Sequence, residues 1–148
     1  MIRKAVEDDE AAIRACAENA YSPYVAAIGR KPAPMVADFA SQIAAGQVYV
    51  AMNEADHLQG FIVFSAREYF MFLENIAVQP AATGRGIGKS LVRFCEDEAR
   101  RAGLNAVHLY TNEKMTDNLS IYPRLGYVEV ERRTEDGFNR VFFEKHLS

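Results

Sequence analysis

The sequence predicts an α/β domain in which a mixed, mostly antiparallel central sheet is flanked by helices. Three observations carry that expectation. The β-like runs QVYVAM, LQGFIVFSA and YFMFLENIAV follow one another across short polar connections such as NEADH, which implies hairpins and so antiparallel pairing. After Val78 the apolar residues change to helical spacing before the next β-like run, NAVHLYT, so a helical crossover implies one parallel pair. The length of 148 residues suits a single buried core, and no repeat, linker or low-complexity stretch divides it, so residues 1–148 read as one domain.

The elements follow in order. Ile2 to Val6 is a short β-prone run, and the acids Glu7 to Glu10 favour the first turn of a helix over AAIRACAENAY. In SPYVAAIGRKPAPM, the residues Pro23, Gly29, Pro32 and Pro34 predict short pieces and loop in place of a long helix. Asp38 to Ala45 reads as a further helical stretch ended by Gly46, ahead of the three strands. Ile87, Leu91, Phe94, Cys95, Glu98 and Ala102 recur at helical spacing with Gly103 as the stop, a helix beginning near Gly86. NAVHLYT is the next strand, Asp117 or Asn118 caps a short helix reaching Leu125, and YVEVERRT and FNRVFFEKHL close the chain as strands.

Composition narrows the function. A formal net charge of -3 argues against a nucleic-acid binder that relies on a general positive field. Cys16 and Cys95 are the only cysteines and have no ligand spacing, and His57, His108 and His146 are scattered, so no metal site is expected. Cysteine usage points to a reducing compartment. No leader-like segment opens the chain and no run approaches the roughly 18 apolar residues of a membrane span, so a cytoplasmic protein without membrane contact is expected.

The most informative stretch is ATGRGIGKSL, residues 82–91. A phosphate-binding P-loop would need glycine where Thr83 stands, and the following strand lacks the closing Asp for magnesium. A dinucleotide fingerprint would need glycine where Lys89 stands. What both motifs share survives: successive N–H groups from Thr83 to Lys89, at the positive end of a helix, turned into one anion site. Glycine matters there because a Cβ would hold a diphosphate away from the backbone.

In this light ENIAVQPAATGRGIGKSLV resembles the strand and R/Q-x-x-G-x-G/A loop of the GNAT superfamily of N-acetyltransferases, with Gly86 and Gly88 as the pattern's glycines. A second block, NLSIYPRLGY, resembles that family's N-x-x-x-Y-x-x-x-G-[FY] segment and brings Asn118, Tyr122, Gly126 and Tyr127 into register. One departure is visible: the pattern's leading Arg or Gln is Thr83. The resemblance implies acetyl-CoA as cosubstrate, a pyrophosphate held by the amides of Thr83, Gly84, Arg85, Gly86, Ile87, Gly88 and Lys89, with the side chains of Arg85 and Lys89 as further candidates, and Asn118 and Tyr122 in the cofactor site. It implies direct transfer to a primary amine in a ternary complex. The acceptor, a small molecule or a peptide or protein, is not specified, and a homodimer is left open. A catalytically silent acyl-CoA-binding module is the alternative.

Acetyl transfer from a thioester needs a polarised carbonyl, an uncharged amine and a proton for the departing thiolate. The resemblance makes Tyr122 the general acid, and a phenol with an ordinary pKa near 10 is protonated at neutral pH. Glu74 is the one acid interrupting the apolar strand YFMFLENIAV. It is a candidate base, directly or through water, or an acid facing solvent or a structural partner; alternation does not choose. If that strand splays from its neighbour, as the resemblance implies, the N–H groups of Ile76 and Val78 become free and one of them polarises the carbonyl. The irregular segment before the strands occupies the place where the family builds its acceptor wall, which makes Tyr21, Tyr24, Arg30 and Met35 candidate lining residues.

Overall fold

The computed structural model describes residues 1–148. Strands β1 (Ile2–Lys4), β2 (Val48–Met52), β3 (Leu58–Ala66), β4 (Met71–Val78), β5 (Ala106–Asn112), β6 (Val128–Glu135) and β7 (Phe138–His146) form one sheet in the order β1-β2-β3-β4-β5-β7-β6. All neighbours are antiparallel except β4 and β5, the pair joined by the helical crossover. The helices are α1 (Glu10–Ile28), α2 (Phe39–Ala44), α3 (Ile87–Arg101) and α4 (Thr116–Arg124). No helix is long and apolar enough to cross a membrane.

Two buried clusters sandwich the sheet. On one face, Leu91, Cys95 and Ala99 of α3 and Tyr122 of α4 pack on Met71, Leu73, Val107, Leu109 and Val141. On the other, Ile13, Cys16, Ala17 and Tyr21 of α1 and Phe39 of α2 pack on Val48, Val50, Phe61 and Val63. Cys95 is therefore core, and Cys16 beside α1's partner strands is held as a neutral thiol, its pKa pushed up to about 12 by burial.

Two local expectations change. Pro23 does not end the first helix: α1 runs through it to Gly29, which adopts φ 91° and donates its N–H to Val25 O at 2.8 Å. An interior proline costs about 3 kcal/mol, but the apolar stripe continues past it, and Tyr24, Val25 and Ile28 pack against the second cluster. The exposed Asn19, whose carbonyl loses the proline's N–H, sits on the solvent side. Likewise neither Asp117 nor Asn118 caps α4, which begins at Thr116 without a side-chain cap. Both side chains are used elsewhere, as described below.

The GY end of the second block is architectural. Gly126 turns at φ 95°, where a Cβ would come within 3.2 Å of Lys145 Cε. Tyr127 then donates from its hydroxyl to Glu96 Oε2 at 2.9 Å, and Lys145 Nζ reaches Glu96 Oε1 at 3.1 Å and Leu125 O at 2.9 Å. This buried carboxylate is satisfied by a cation and a phenol together, and ties α3 to the end of α4 and to β7.

Candidate active site

The site begins with a fault in the sheet. Val63 pairs with Asn75 but Phe64 pairs with Leu73, so Glu74 is an extra residue on β4, a β-bulge. The bulge bends the strand, and pairing with β5 covers only Met71, Phe72 and Leu73. Beyond Leu73 the two strands part. Gln79 N–H donates to Gln59 O at 2.8 Å, toward β3; because alternate residues address opposite edges, Ile76 and Val78 turn their N–H groups into the gap.

Tyr21 of α1 reaches into this gap and compensates the missing strand. Its hydroxyl lies 2.7 Å from Ile76 O and 2.8 Å from Asn75 Oδ1, sharing one proton between two acceptors, while Asn75 Nδ2 donates to Pro34 O at 2.9 Å. Burial raises the Tyr21 pKa well above the usual phenol range, so the hydroxyl remains a donor.

On the α3 side the gap opens into a groove of about 380 Å³. Its floor is the loop from Thr83 to Lys89. Gly84 and Gly86 hold φ 80° and 77°, a left-handed conformation that costs a side-chain-bearing residue about 1–2 kcal/mol. Thr83 turns its hydroxyl back to Pro80 O at 2.8 Å, and Ser90 Oγ donates to Gly86 O at 3.0 Å, so both polar side chains brace the loop. No acid stands in the first turn of α3 to oppose an anion there. Lys89 lines the groove. Next to it, a cavity of about 160 Å³ brings Lys89 together with Arg93, Arg124 and Lys145; of these, Lys145 alone is committed to an ion pair, with Glu96.

Across the groove, Tyr24 of α1 donates its hydroxyl to Asp117 Oδ2 of α4 at 3.0 Å, a bridge between the two helices. Asn118 Nδ2 donates to Thr111 Oγ1 at 3.1 Å, which anchors α4 to β5. Tyr122, only 6% exposed, stands at the inner end. Its pKa is raised above the ordinary phenol value, chiefly by burial, with the nearby Cys95 adding to it.

Behind Tyr122, on the α1 face of the sheet, lies a second and much smaller cavity of about 50 Å³. Glu74, Asn75, Tyr110, Phe138 and Arg140 line it. Glu74 accepts from Gln42 Nε2 of α2 and has no cationic partner. Arg140 is 9% exposed and stacks its guanidinium 4.4 Å from the Tyr110 ring. Groove and cavity share four residues: Tyr21, Ile76, Asn118 and Tyr122.

With this geometry in view, the profile of the acetyltransferase (GNAT) family matches residues 11–127. The chain belongs to the GNAT acetyltransferase family. Its curated relatives include the IAA acetyltransferase of Azospirillum brasilense, 37% identical over 57 residues that cover 38% of this chain and 37% of the relative. The streptothricin acetyltransferase of Streptomyces lavendulae is 30% identical over 83 residues, covering 55% of this chain and 44% of the relative. The chain thus spans less than half the length of these relatives. Among solved structures, PaiA N-acetyltransferase from Thermoplasma acidophilum, in complex with coenzyme A, shares the fold with a TM-score of 0.81 at 18% identity, over 99% of this chain and 98% of that one.

Within this GNAT fold, Ile76, Val78, Thr83, Gly84, Gly86, Ile87, Gly88, Lys89, Asn118 and Tyr122 all face the groove. Arg85 does not: it lines a separate depression with Met1, Ile2 and Met52 on the far side of the loop, because the chain turns at the glycines on either side of it. Of the four residues expected to wall an acceptor site, Tyr21 alone borders the small cavity. Tyr24 lies in the groove, since the continuous α1 carries it past the gap. Met35 is buried in the core beneath α1. Arg30 stacks 3.7 Å from the Phe138 ring and bonds to Asp136 O, bracing the β6–β7 turn from outside the cavity. Asn75, Tyr110 and Arg140 were not singled out by any motif. Asn75 adjoins Glu74 and breaks the apolar run just as it does; Arg140 offers no such signal, because it sits in a strand ending rich in charge.

Proposed function

We propose that the protein transfers an acetyl group from acetyl-CoA to a primary amine by direct attack within a ternary complex. The observation that supports this most is the meeting of groove and small cavity at Tyr122, Asn118, Ile76 and Tyr21. A thioester reaching that junction from the groove side is open to an amine from the cavity side, with no need for a nucleophilic side chain; both cysteines are buried and inert.

The groove suits coenzyme A. The amides of Thr83 to Lys89 and the positive end of α3 take the pyrophosphate, Lys89 adds charge, and Arg93 and Arg124 offer unpaired cations for the remaining phosphate. The N–H of Ile76 or Val78, released by the splay, polarises the thioester carbonyl. Glu74, directly or through water, takes the proton from the ammonium. The amine nitrogen then bonds to the carbonyl carbon, the carbon–sulfur bond breaks, and Tyr122 delivers its proton to sulfur as that bond opens. A buried phenol with a raised pKa does this only in concert with bond breaking, since it does not ionise ahead of it. The nitrogen keeps the acetyl group and gives up its second proton, which returns to the Tyr122 phenolate directly or through water, and the thiol leaves. The pair of free, buried cysteines supports a reducing compartment, and we place the protein in the cytoplasm.

The curated relatives differ in the acceptor their names carry, so a screen is the direct test. Calorimetry is expected to show acetyl-CoA binding at micromolar to millimolar concentration, and a thiol-release assay against amines, amino acids and peptides to show turnover with at least one. Absence of binding overturns the proposal. Binding with no thiol release across the panel points instead to a silent acyl-CoA-binding module.

A further inference from the structure

Arg140 is the one cation that reaches the small cavity, and its chemistry is half used. Of its five N–H donors, those on Nη1 find a protein acceptor, Glu135 Oε1 at 3.0 Å, with Asp136 Oδ2 further off at 3.8 Å. Glu135 is itself shared, since Arg133 Nε binds its other oxygen at 3.0 Å, so the carboxylate is divided between two guanidinium groups. The single sealed side-chain polar atom without a partner in the molecule is Gln42 Oε1. The remaining donors of Arg140, though the residue is 9% exposed, therefore open onto accessible space and not into packed core. Tyr110 and Phe138 hold the guanidinium from its faces, at 4.4 and 5.7 Å from the ring centres, which leaves its edge for hydrogen bonds.

Glu74 is the opposite pole of the same cavity. Leu73 and Val141 belong to the cluster under α3, so their neighbours Glu74 and Arg140 emerge on the other face of the sheet. Their strands, β4 and β7, are separated by β5, from which β4 parts beyond Leu73. Both residues nonetheless line one cavity of about 50 Å³. A carboxylate without a cationic partner and a guanidinium with spare donors thus face the same small volume, with Tyr122 at its inner end.

Resting on the acetyl-transfer reading, we infer that the acceptor is a small zwitterion, a primary amine carrying a carboxylate, phosphate or phosphonate a few bonds away. Arg140 binds the anion through its free edge and Glu74 receives the ammonium beside the thioester. The cavity's size favours a compact molecule over a folded peptide segment. Arg140 is a specificity residue and takes no part in proton transfer.

The test uses pairs that differ by the anion: β-alanine against propylamine, and O-phosphoethanolamine against ethanolamine, assayed by thiol release from acetyl-CoA. A hydrogen-bonded charge pair predicts about a tenfold or greater advantage in kcat/KM for the anionic member of at least one pair. Arg140→Gln is expected to erase that advantage through KM, and Arg140→Lys, which keeps the charge but loses the fork, to restore part of it; thermal melting of each variant confirms that it folds. Turnover without preference for the anion, or a preference that survives Arg140→Gln, overturns the inference while leaving acetyl transfer standing. No thiol release from any amine overturns both.

Discussion

The two halves of the site are built from different materials. The groove under α3 is made of backbone: a run of amides, two glycines at positive φ and a helix terminus, all within the few residues from Thr83 to Lys89. The small cavity on the α1 face is made of side chains drawn from across the chain, Tyr21 on α1, Glu74 and Asn75 on β4, Tyr110 on β5 and Arg140 on β7. A backbone site suits what every ligand of a class shares, in our proposal the pyrophosphate of acetyl-CoA, and has little to vary. A side-chain site changes with each substitution and can be tuned to a particular acceptor without disturbing the other half.

Four experiments would break or sharpen that contrast. The largest effect belongs to one of the residues common to both halves: Tyr122→Phe is expected to lower kcat by about 100-fold or more, measured at saturating acetyl-CoA and amine, with acetyl-CoA still binding. Unchanged turnover would remove it as the acid. Gly86→Val comes next. Forcing a β-branched residue to φ 77° costs about 1–2 kcal/mol or more, so the acetyl-CoA Kd from calorimetry should rise about tenfold. The KM for the amine should move far less if the halves are independent.

Tyr21→Phe probes the seam. Removing the hydroxyl leaves Ile76 O and Asn75 Oδ1 without it in a buried setting, at a cost of about 1–3 kcal/mol. Thermal melting should show a Tm lower by several degrees, with both KM values disturbed because Tyr21 borders both cavities. The smallest effect separates the two loop cations. Lys89→Ala should weaken acetyl-CoA binding by about two- to fivefold, the scale of one exposed charge contact, more at low salt than at high. Arg85→Ala, on the far side of the loop, should leave the Kd unchanged. Equal losses would mean that the loop turns differently when the cofactor is bound.

How much was legible follows from the same division. The strand and helix order could be read because hydrophobic spacing reports period 2 or period 3.6 directly, and LQGFIVFSA became β3 with the same ends. The glycine loop was legible because it is contiguous and because positive φ demands glycine. Pro23 misled, since its local cost was visible while the packing of Tyr24, Val25 and Ile28 that outweighs it was not. Tyr24 was then carried into the groove, because a continuous helix takes each residue to a position set by its turn, while Arg30 and Met35, beyond the helix end, pack against Phe138 and the core.

The sequence by itself determined the order of the elements and the glycine turn before α3, because each rests on short-range rules of backbone conformation and periodicity. Tertiary structure alone decided which way the side chains of that scaffold point. One extra residue at Glu74 bends β4 away from β5, opens the gap and directs Ile76 and Val78 into it. The insertion of β7 between β5 and β6 brings Arg140 to the cavity that holds Glu74. Bulge and strand order are outcomes of packing among distant segments, and the direction of every side chain at the site depends on them.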